Sequence, residues 1–267
     1  MGKTITGFAG FLPRALVAGI AFLAFAVALP AVAAPFTVTV KPIQICNDAG
    51  TDCGNSAMTL FEAEGDKIWA QAGIDLNFLP WAQINETDYL NVDIGNAAVI
   101  AAEAQTVMTA GTAINNTAVT LAINMFFAPL LDNDTGLFGL GCGGPVFAGF
   151  CNNQVGVFIG DNVFAFGGGV GRLDTIAHEL GHVLNLQHTN VANQLMASGG
   201  VRSIPGTIND IFPDGAELDQ LTAAHITTAL ASDFVTATVP EPATLALLSL
   251  GLMGFVVAVR RRNKASR

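Results

Sequence analysis

The sequence predicts an α+β fold built on a mixed sheet. Segments rich in β-branched and alternating residues recur between segments that carry helix-start and helix-stop residues. This order of strands and helices is typical of a sheet with helices packed on it. Residues 36 to 236 also contain no internal repeat and no long polar linker. We therefore expect one folded domain, over residues 34 to 238.

The first half of the domain is expected to contain two strands and a helix. FTVTVKPIQI, residues 36 to 45, alternates and is rich in β-branched residues, as strands are. A helix is expected from Ser56, which can cap it, to Ala72, with Gly73 as its stop. IDLNF, residues 74 to 78, predicts the second strand.

The second half is expected to add a helix and two more strands. The helix is predicted over residues 97 to 109, and a third strand over residues 119 to 127. Residues 132 to 153 are rich in glycine and predict a surface loop. QVGVFIG, residues 154 to 160, predicts a strand. FGGGVGR, residues 166 to 172, predicts a loop, and its glycines lack the G-x-G-x-x-G order of dinucleotide-binding sites.

The N-terminal residues are typical of a secretory signal peptide. Lys3 and Arg14 precede an apolar run at residues 15 to 29, and the small residues AVAA follow shortly after it. Cleavage at the AVAA stretch would remove residues 1 to 33. We therefore expect the mature chain to be exported.

The C-terminal segment, residues 239 to 267, has three parts: the motif Pro-Glu-Pro, an uncharged run at residues 243 to 259, and three arginines. The run is at the low limit for a membrane span, and the arginines favour a cytoplasmic end, so a permanent anchor is one interpretation. The order of the three parts resembles the PEP-CTERM sorting signal of Gram-negative bacteria. That resemblance implies transient insertion into the inner membrane, cutting near Pro-Glu-Pro by an exosortase, and release or attachment at the cell surface or extracellular matrix.

The charge of the mature chain excludes one class of partner. Residues 34 to 240 contain four basic and 20 acidic residues, a formal charge of −16. Such a surface repels phosphate backbones, so we expect no nucleic acid as a partner.

Four cysteines fall into two pairs that are close in sequence, Cys46 with Cys53 and Cys142 with Cys151. An even number of cysteines in an exported chain predicts disulfides. Of the three possible pairings we favour the two close ones, each worth roughly 2 to 3 kcal/mol on the loop-entropy model. A zinc site made of these cysteines is the weaker alternative, because neither pair has C-x-x-C spacing.

HELGHVLNLQH, residues 178 to 188, gathers three of the four histidines of the chain. Asp174 or Thr175 can cap a helix that carries this stretch. On a helix that turns about 100° per residue, His178 and His182 share one face. The opposite face is apolar and can pack on a core, through Ile176, Leu180, Val183 and Leu184.

Two imidazoles at positions i and i+4 lie roughly 6 Å apart along the helix axis and can both bind one zinc ion. Glu179 follows the first histidine, on the side where a water molecule could sit. This is the H-E-x-x-H arrangement, in which the glutamate acts as general base. The alternative is a surface helix whose histidines are incidental.

His188 lies six residues beyond His182, too far to continue the same helical face. The helix must therefore end, and the chain must turn back, for all three histidines to meet. After glycine, asparagine is the residue that best tolerates the left-handed conformation of such a turn, and the sequence places Asn185 there.

These eleven residues are similar to the metzincin signature H-E-x-x-H-x-x-G-x-x-H, with asparagine in place of the glycine. Leu195-Met196 follows at the spacing of the methionine turn of matrixins. The resemblance implies a metzincin-like fold with a mostly parallel mixed sheet, an active-site helix and a small C-terminal helical subdomain. It also implies one catalytic Zn²⁺ and a methionine beneath it, Met196. The zinc ligands would be His178, His182 and His188, and the base would be Glu179.

Three further features carry less chemistry. Tyr89 is the only tyrosine and does not follow Met196, so a tyrosine ligand of the astacin type is not expected. His225 falls in a predicted C-terminal helix, residues 218 to 231, and is expected to be an ordinary helix residue. DNDTG, residues 132 to 136, could contribute to a Ca²⁺ site, but a polar turn explains it equally well.

The sequence therefore predicts a secreted, surface-sorted zinc endopeptidase that acts on a peptide or protein substrate. Water activated at the zinc would attack the peptide bond, with Glu179 as general base. The alternative is a non-catalytic surface or matrix protein with a structural zinc site, although such a site has no evident use for Glu179.

Overall fold

The computed structural model describes residues 36 to 95, 100 to 115, 121 to 143 and 150 to 238. Within these ranges the chain forms a large sheet, a small two-stranded sheet and five α-helices. The strands are β1 (Phe36–Cys46), β2 (Ile74–Phe78), β3 (Ala82–Asn85), β4 (Asn91–Val92), β5 (Ile123–Ala128), β6 (Leu130–Leu131), β7 (Gly139–Cys142), β8 (Gly156–Gly160) and β9 (Val235–Ala237). The helices are α1 (Glu62–Trp69), α2 (Ala102–Ile114), α3 (Asn162–Gly169), α4 (Thr175–Val183) and α5 (Ala223–Leu230). Short 3₁₀ turns occupy Ala70–Ala72, Thr87–Leu90 and Ile208–Asp210.

The large sheet is mixed and mostly parallel, as predicted. In the described part of the chain it has seven strands, with β2, β1, β5, β8 and β7 in spatial order. β3 pairs with the second half of β1, on the edge that β2 also uses, and both run parallel to it. β7 pairs antiparallel with β8 and ends the order, while β9 pairs antiparallel with the start of β1. β4 and β6 form the small parallel sheet.

Alternating side chains of the strands fill two cores, one on each face of the large sheet. The first core takes Val38 and Val40 of β1, together with apolar residues of α1, α4 and α5. The second core takes Ile43 and Ile45 of β1 and packs against α2. The predicted C-terminal helix is therefore present as α5, where Ala229 is buried in the first core.

The first predicted strand and the second agree with β1 and β2, but the helix between them starts later than expected. Ser56 does not cap it, because α1 begins only at Glu62. Residues 55 to 59 form a turn instead, in which the Asn55 side chain accepts from the Thr59 backbone N–H and donates to its carbonyl. Such local side-chain bonds compete with a helix start. Gly73 ends this region as predicted, with a φ of 67°.

Two later elements are shifted relative to their predictions. The helix predicted at 97 to 109 is α2, which begins and ends five residues later, and the strand predicted at 119 to 127 is β5. Residues 96 to 99 and 116 to 120 belong to those predictions and lie outside the described residues.

The glycine-rich stretch predicted as a surface loop contains a strand of the large sheet, β7. A Cβ on Gly141 would overlap the carbonyl oxygen of Glu179, and a Cβ on Gly139 would stand 2.8 Å from Glu179 Cγ. The glycines are therefore explained by close packing of a strand against helix α4, not by loop flexibility. The prediction of a loop was wrong at these residues.

Both favoured disulfides are present, Cys46 with Cys53 and Cys142 with Cys151. The first closes the turn after β1, and the second joins the end of β7 to the segment before β8. Among the described residues, none of the helices has the length and apolar composition needed to cross a membrane. The predicted signal peptide and the uncharged run at 243 to 259 lie outside the described residues.

Candidate metal centre

Helix α4 carries the first two histidines and is buried along its whole length. Its predicted apolar face packs into the first core, while its other side lies against β7. The predicted capping interaction is absent: Asp174 occupies the N-cap position, but its side chain makes no capping hydrogen bond. Its carboxylate lies 3.1 Å from Nε of Arg202 instead. This ion pair replaces the cap that the sequence suggested.

The rings of His178 and His182 are each fixed by a backbone carbonyl. Nδ1 of His178 donates to the carbonyl of Leu195 at 2.6 Å, and Nδ1 of His182 donates to the carbonyl of Leu186 at 2.9 Å. A carbonyl oxygen can only accept, so the hydrogen of each neutral ring sits on Nδ1. The Nε2 lone pair of each ring therefore points toward Nε2 of His188, where it can bind a cation.

The third histidine meets the other two, as predicted. Nε2 of His188 lies 3.2 Å from Nε2 of His178 and 3.1 Å from Nε2 of His182. The three ligand atoms lie within 4.8 Å of one another. Two nitrogens held by one tetrahedral zinc ion at about 2.0 to 2.1 Å are roughly 3.3 to 3.4 Å apart, close to these distances.

The hydrogen-bonding capacity of the three rings also fits a cation. Because His178 and His182 carry their hydrogens on Nδ1, both present lone pairs to His188. A neutral His188 ring has a single N–H and can satisfy only one of them. An ion between the rings would be bound by all three lone pairs at once. The donor set of three imidazoles suits zinc.

Burial keeps the histidines in the form that binds metals. It lowers the pKa of His182 to about 4 and holds the pKa of His178 well below its ordinary value. Burial also lowers the pKa of His188, although this residue is the most exposed of the three. Neutral imidazole is therefore the form expected at pH 7.

The turn that brings His188 back depends on Asn185, which has a φ of 71°. Its backbone N–H donates to the carbonyl of His182 at 3.0 Å, and the next N–H, of Leu186, donates to the carbonyl of Gly181 at 2.9 Å. This pair of bonds is typical of a helix that ends with a left-handed residue. The prediction that the helix ends at this asparagine is confirmed.

We expect Asn185→Gly to leave the protein as stable as the parent or slightly more stable, because glycine adopts this conformation without strain. Asn185→Val should lower the free energy of unfolding by about 1 to 2 kcal/mol or more, because a β-branched side chain is poorly tolerated there. Thermal melts of the two variants test this. Equal melting temperatures for valine and glycine would contradict it.

Glu179 lies against the same centre and lines a cavity of about 420 Å³. The cavity is also bounded by His182, His188, and the neighbouring residues Gly139, Leu140, Gly141 and Phe150. Burial raises the pKa of Glu179 to about 7, which the positive charge of Arg202 and the Gly141 backbone N–H partly oppose. A carboxyl group thus faces the cavity beside two of the three imidazoles.

Met196 is fully buried beneath the helix that carries the first two histidines. A Cβ on Gly181 would overlap its sulfur atom, so the glycine allows the contact. The carbonyl before it in the chain, that of Leu195, is the one that orients His178. Met196 therefore packs against helix α4, and the residue before it in the chain contacts His178.

The other residues singled out in the sequence lie elsewhere. His225 belongs to the N-terminal capping box of α5, where its Nδ1 accepts from the Thr222 backbone N–H. Tyr89 lies in a 3₁₀ turn. In the run 132 to 136, Asp134 accepts from the Gly136 backbone N–H, as in a polar turn. Asp132 accepts from the backbone N–H of Ile94, in an earlier segment of the chain.

Sequence reasoning missed a buried group of charged residues near the start of α4: Arg172, Asp174, Arg202 and Asp219. Asp174 was considered only as a helix cap. The signal that could have drawn attention to the group is compositional, because residues 34 to 240 contain just four basic residues and two of them are here.

Comparison with known families identifies the C-terminal segment. Residues 238–262 match the model of the PEP-CTERM protein-sorting motif. The motif indicates export and surface sorting in Gram-negative bacteria, with processing by an exosortase. None of the curated proteins compared with this chain matches it.

Solved structures resemble the chain only at low similarity. Metalloproteinase-II from Bacteroides fragilis has 14% identity and a TM-score of 0.39, over 74% of this chain and 53% of that chain. One chain of a chaperone-substrate complex has 13% identity and a TM-score of 0.38, over 74% and 34%. A zinc-dependent peptidase from Methanocorpusculum labreanum has 10% identity and a TM-score of 0.38, over 70% and 99%. This chain thus spans about half the length of the first protein, and neither family nor activity follows from these scores.

Proposed function

We propose that this protein is a secreted, surface-sorted zinc endopeptidase of the metzincin type. The observation that carries the proposal is the convergence of three imidazole nitrogens, with two of the three histidines lining one cavity together with Glu179. His178, His182 and His188 would hold one Zn²⁺, and Glu179 would act as general base. When bound, zinc supplies Lewis-acid polarisation of the peptide carbonyl and of the attacking water.

The residues of the chain divide the remaining work. Carbonyls of Leu195 and Leu186 hold the first two rings so that their Nε2 atoms face Nε2 of His188, where an ion would be bound. Such outer hydrogen bonds fix the ring orientation and raise the basicity of the ligand. Glu179 would take a proton from the attacking water and deliver it to the nitrogen of the departing amine.

The cavity beside the centre would receive the substrate. Leu140 and Phe150 contribute apolar side chains to its lining, and Glu179 and His188 contribute polar groups. Apolar side chains exclude water, and this strengthens the electrostatic interactions within the site. Peptide or protein chains are the substrates that this combination of metal, base and cavity supports best.

A structural zinc site is the rival function, and a cleavage assay separates the two. The exported protein would be incubated with a diverse peptide mixture, with and without a zinc chelator, and new termini counted by mass spectrometry. We expect cleavage that the chelator abolishes and added zinc restores. Equal cleavage with and without the chelator would assign it to another activity, while zinc binding without any cleavage would favour the structural role.

We propose further that residues 1 to 33 and the tail beyond Pro-Glu-Pro are removed, leaving residues 34 to about 240 as the mature domain. Mass spectrometry of the surface protein from its native host should find no peptide beyond about residue 242, because the motif at 238–262 is a processing signal. Recovery of Arg260 to Arg267 on the mature protein would contradict processing and favour a permanent anchor.

A further inference from the structure

The buried charged group near the start of α4 is a second cluster, distinct from the three histidines. Asp174 and Asp219 are fully buried and Arg172 is 5% exposed, while the side chain of Arg202 is 4% exposed. Burial and the nearby Asp174 carboxylate together raise the pKa of Asp219 to about 8. Burying charged groups is costly unless they are paired, so their presence needs an explanation.

Arg202 connects two parts of the chain within this cluster. Its Nε lies 3.1 Å from Oδ2 of Asp174, and its Nη2 donates to Oγ1 of Thr175 at 3.4 Å. Both partners are at the start of α4, whereas Arg202 follows the loop that contains Met196. The guanidinium group thus joins that loop to the first turn of the helix.

The same loop contacts α4 at two further positions along the helix. Leu195 accepts the Nδ1 hydrogen of His178, and Met196 packs against Gly181. Positions 174, 178 and 181 are spaced by four and three residues, so they lie on one face of the helix. Segment 195–202 therefore follows this face of α4 over two turns. Arg202 makes the contact with the N-terminal end of the helix.

Backbone hydrogen bonds also hold this segment: the Leu195 N–H donates to the carbonyl of Gln220, and the Ser198 N–H donates to the carbonyl of Thr189. A Cβ on Gly199 or Gly200 would meet nothing within 4 Å. Arg202 is the next residue but one, and its backbone N–H donates to the carbonyl of Ser198 at 3.0 Å. Beyond the glycines, the Ser203 N–H donates to the carbonyl of Ala192, and the Arg202 ion pair adds a side-chain contact with the start of α4.

We propose that Arg202 is a positioning residue that sets the register of segment 195–202 along α4 and so places the Leu195 carbonyl that orients His178. The effect of Arg202 on zinc binding rests on the proposed function, whereas the effect of Arg202 on the orientation of the His178 ring does not. A buried arginine can join two acceptors in fixed geometry, which lysine cannot do. A merely structural role would make Arg202 matter for stability alone.

The test compares variants that remove one charge of the Arg202–Asp174 pair with a double variant that removes both charges. Arg202→Met or Asp174→Asn alone removes one charge of a buried pair, whereas the double variant removes both charges and leaves the net charge of the cluster unchanged. The double variant also loses the contact between Oδ1 of Asp174 and Nε of Arg172, which lie 4.0 Å apart. The readouts are the melting temperature, the NMR resonance of the His178 Nδ1 hydrogen in the metal-free exported protein, and the zinc dissociation constant. Arg202→Lys is the conservative variant, since it keeps the charge and loses the second contact, to Thr175.

We expect the double variant to melt within about 4 °C of the parent, to shift or broaden the His178 resonance, and to bind zinc roughly 10 to 100-fold more weakly. Arg202→Lys should change the resonance and the affinity in the same direction by less. A parent-like His178 resonance and zinc affinity in the double variant, whatever its melting temperature, would overturn the proposal. If the double variant does not fold, a parent-like resonance and affinity in Arg202→Lys would overturn it. A parent protein that binds no zinc would remove the proposed function and leave the resonance comparison intact.

Discussion

Glu179→Gln is expected to abolish most peptide cleavage while the protein keeps its fold and its zinc. Glutamine has the size of glutamate but cannot accept the proton of the attacking water. Loss of a general base lowers rates by about 10² to 10⁴-fold, and a group that also returns the proton to the amine should be at the upper end. The measurement is the rate of peptide cleavage, together with zinc content and melting temperature.

Glu62→Gln provides a matched control, because Glu62 is exposed on α1. It should cleave at the parent rate. Equal cleavage by the parent and the Glu179→Gln variant would show that the activity belongs to another site or to a contaminant. Loss of zinc from the Glu179→Gln variant would show instead that the carboxylate is a ligand and not a base.

His188→Ala is expected to weaken zinc binding by more than about 10²-fold. Changes to outer hydrogen-bond partners of metal ligands cost 10 to 100-fold in affinity, and removal of a direct ligand should exceed that. His188 is suited to the test because it is the most exposed of the three histidines and can be replaced with little damage to the core. Metal analysis of the purified variants gives the result.

His225→Ala is the matched control for this prediction. His225 lies on α5, outside the group of three histidines, so its loss should weaken the helix cap and leave zinc content at the parent level. Equal zinc content in the His188→Ala variant and the parent would contradict a centre built from three histidines.

Much of the candidate centre could be predicted because its determinants are local in sequence. His178 and His182 share a helix face by spacing alone, and a left-handed residue at Asn185 suffices to return the chain to His188. β1 could likewise be predicted from its alternating β-branched residues, and β2 from its alternation of apolar and polar residues. Short-range patterns of this kind are independent of the rest of the fold.

The parts that could not be predicted depend on contacts distant in sequence. Gly139 and Gly141 look like loop residues, but β7 needs them because α4 packs directly against it. The start of α1 was misplaced because Asn55 and Thr59 bond to each other and satisfy the backbone there. No pattern around Gly139 and Gly141 distinguishes this strand from a loop. No pattern around Ser56 distinguishes the turn from a helix cap.

The Arg202 ion pair also could not be predicted from the sequence, because it joins residues that are distant along the chain. Its partner Asp174 lies 28 residues earlier and fits the pattern of a helix cap, which needs no partner from another segment. Only the fold brings the loop after Met196 back to the start of α4.

The most direct test of the central claim is a zinc titration of the metal-free exported protein, with the rate of cleavage of one susceptible peptide measured at each addition. We expect cleavage to be absent before zinc is added, to rise in proportion to the zinc bound, and to level off at about one zinc per chain, the number that three convergent imidazoles can hold. A chain that binds one zinc with no gain in cleavage, or that cleaves equally without zinc, would contradict a zinc-dependent peptidase.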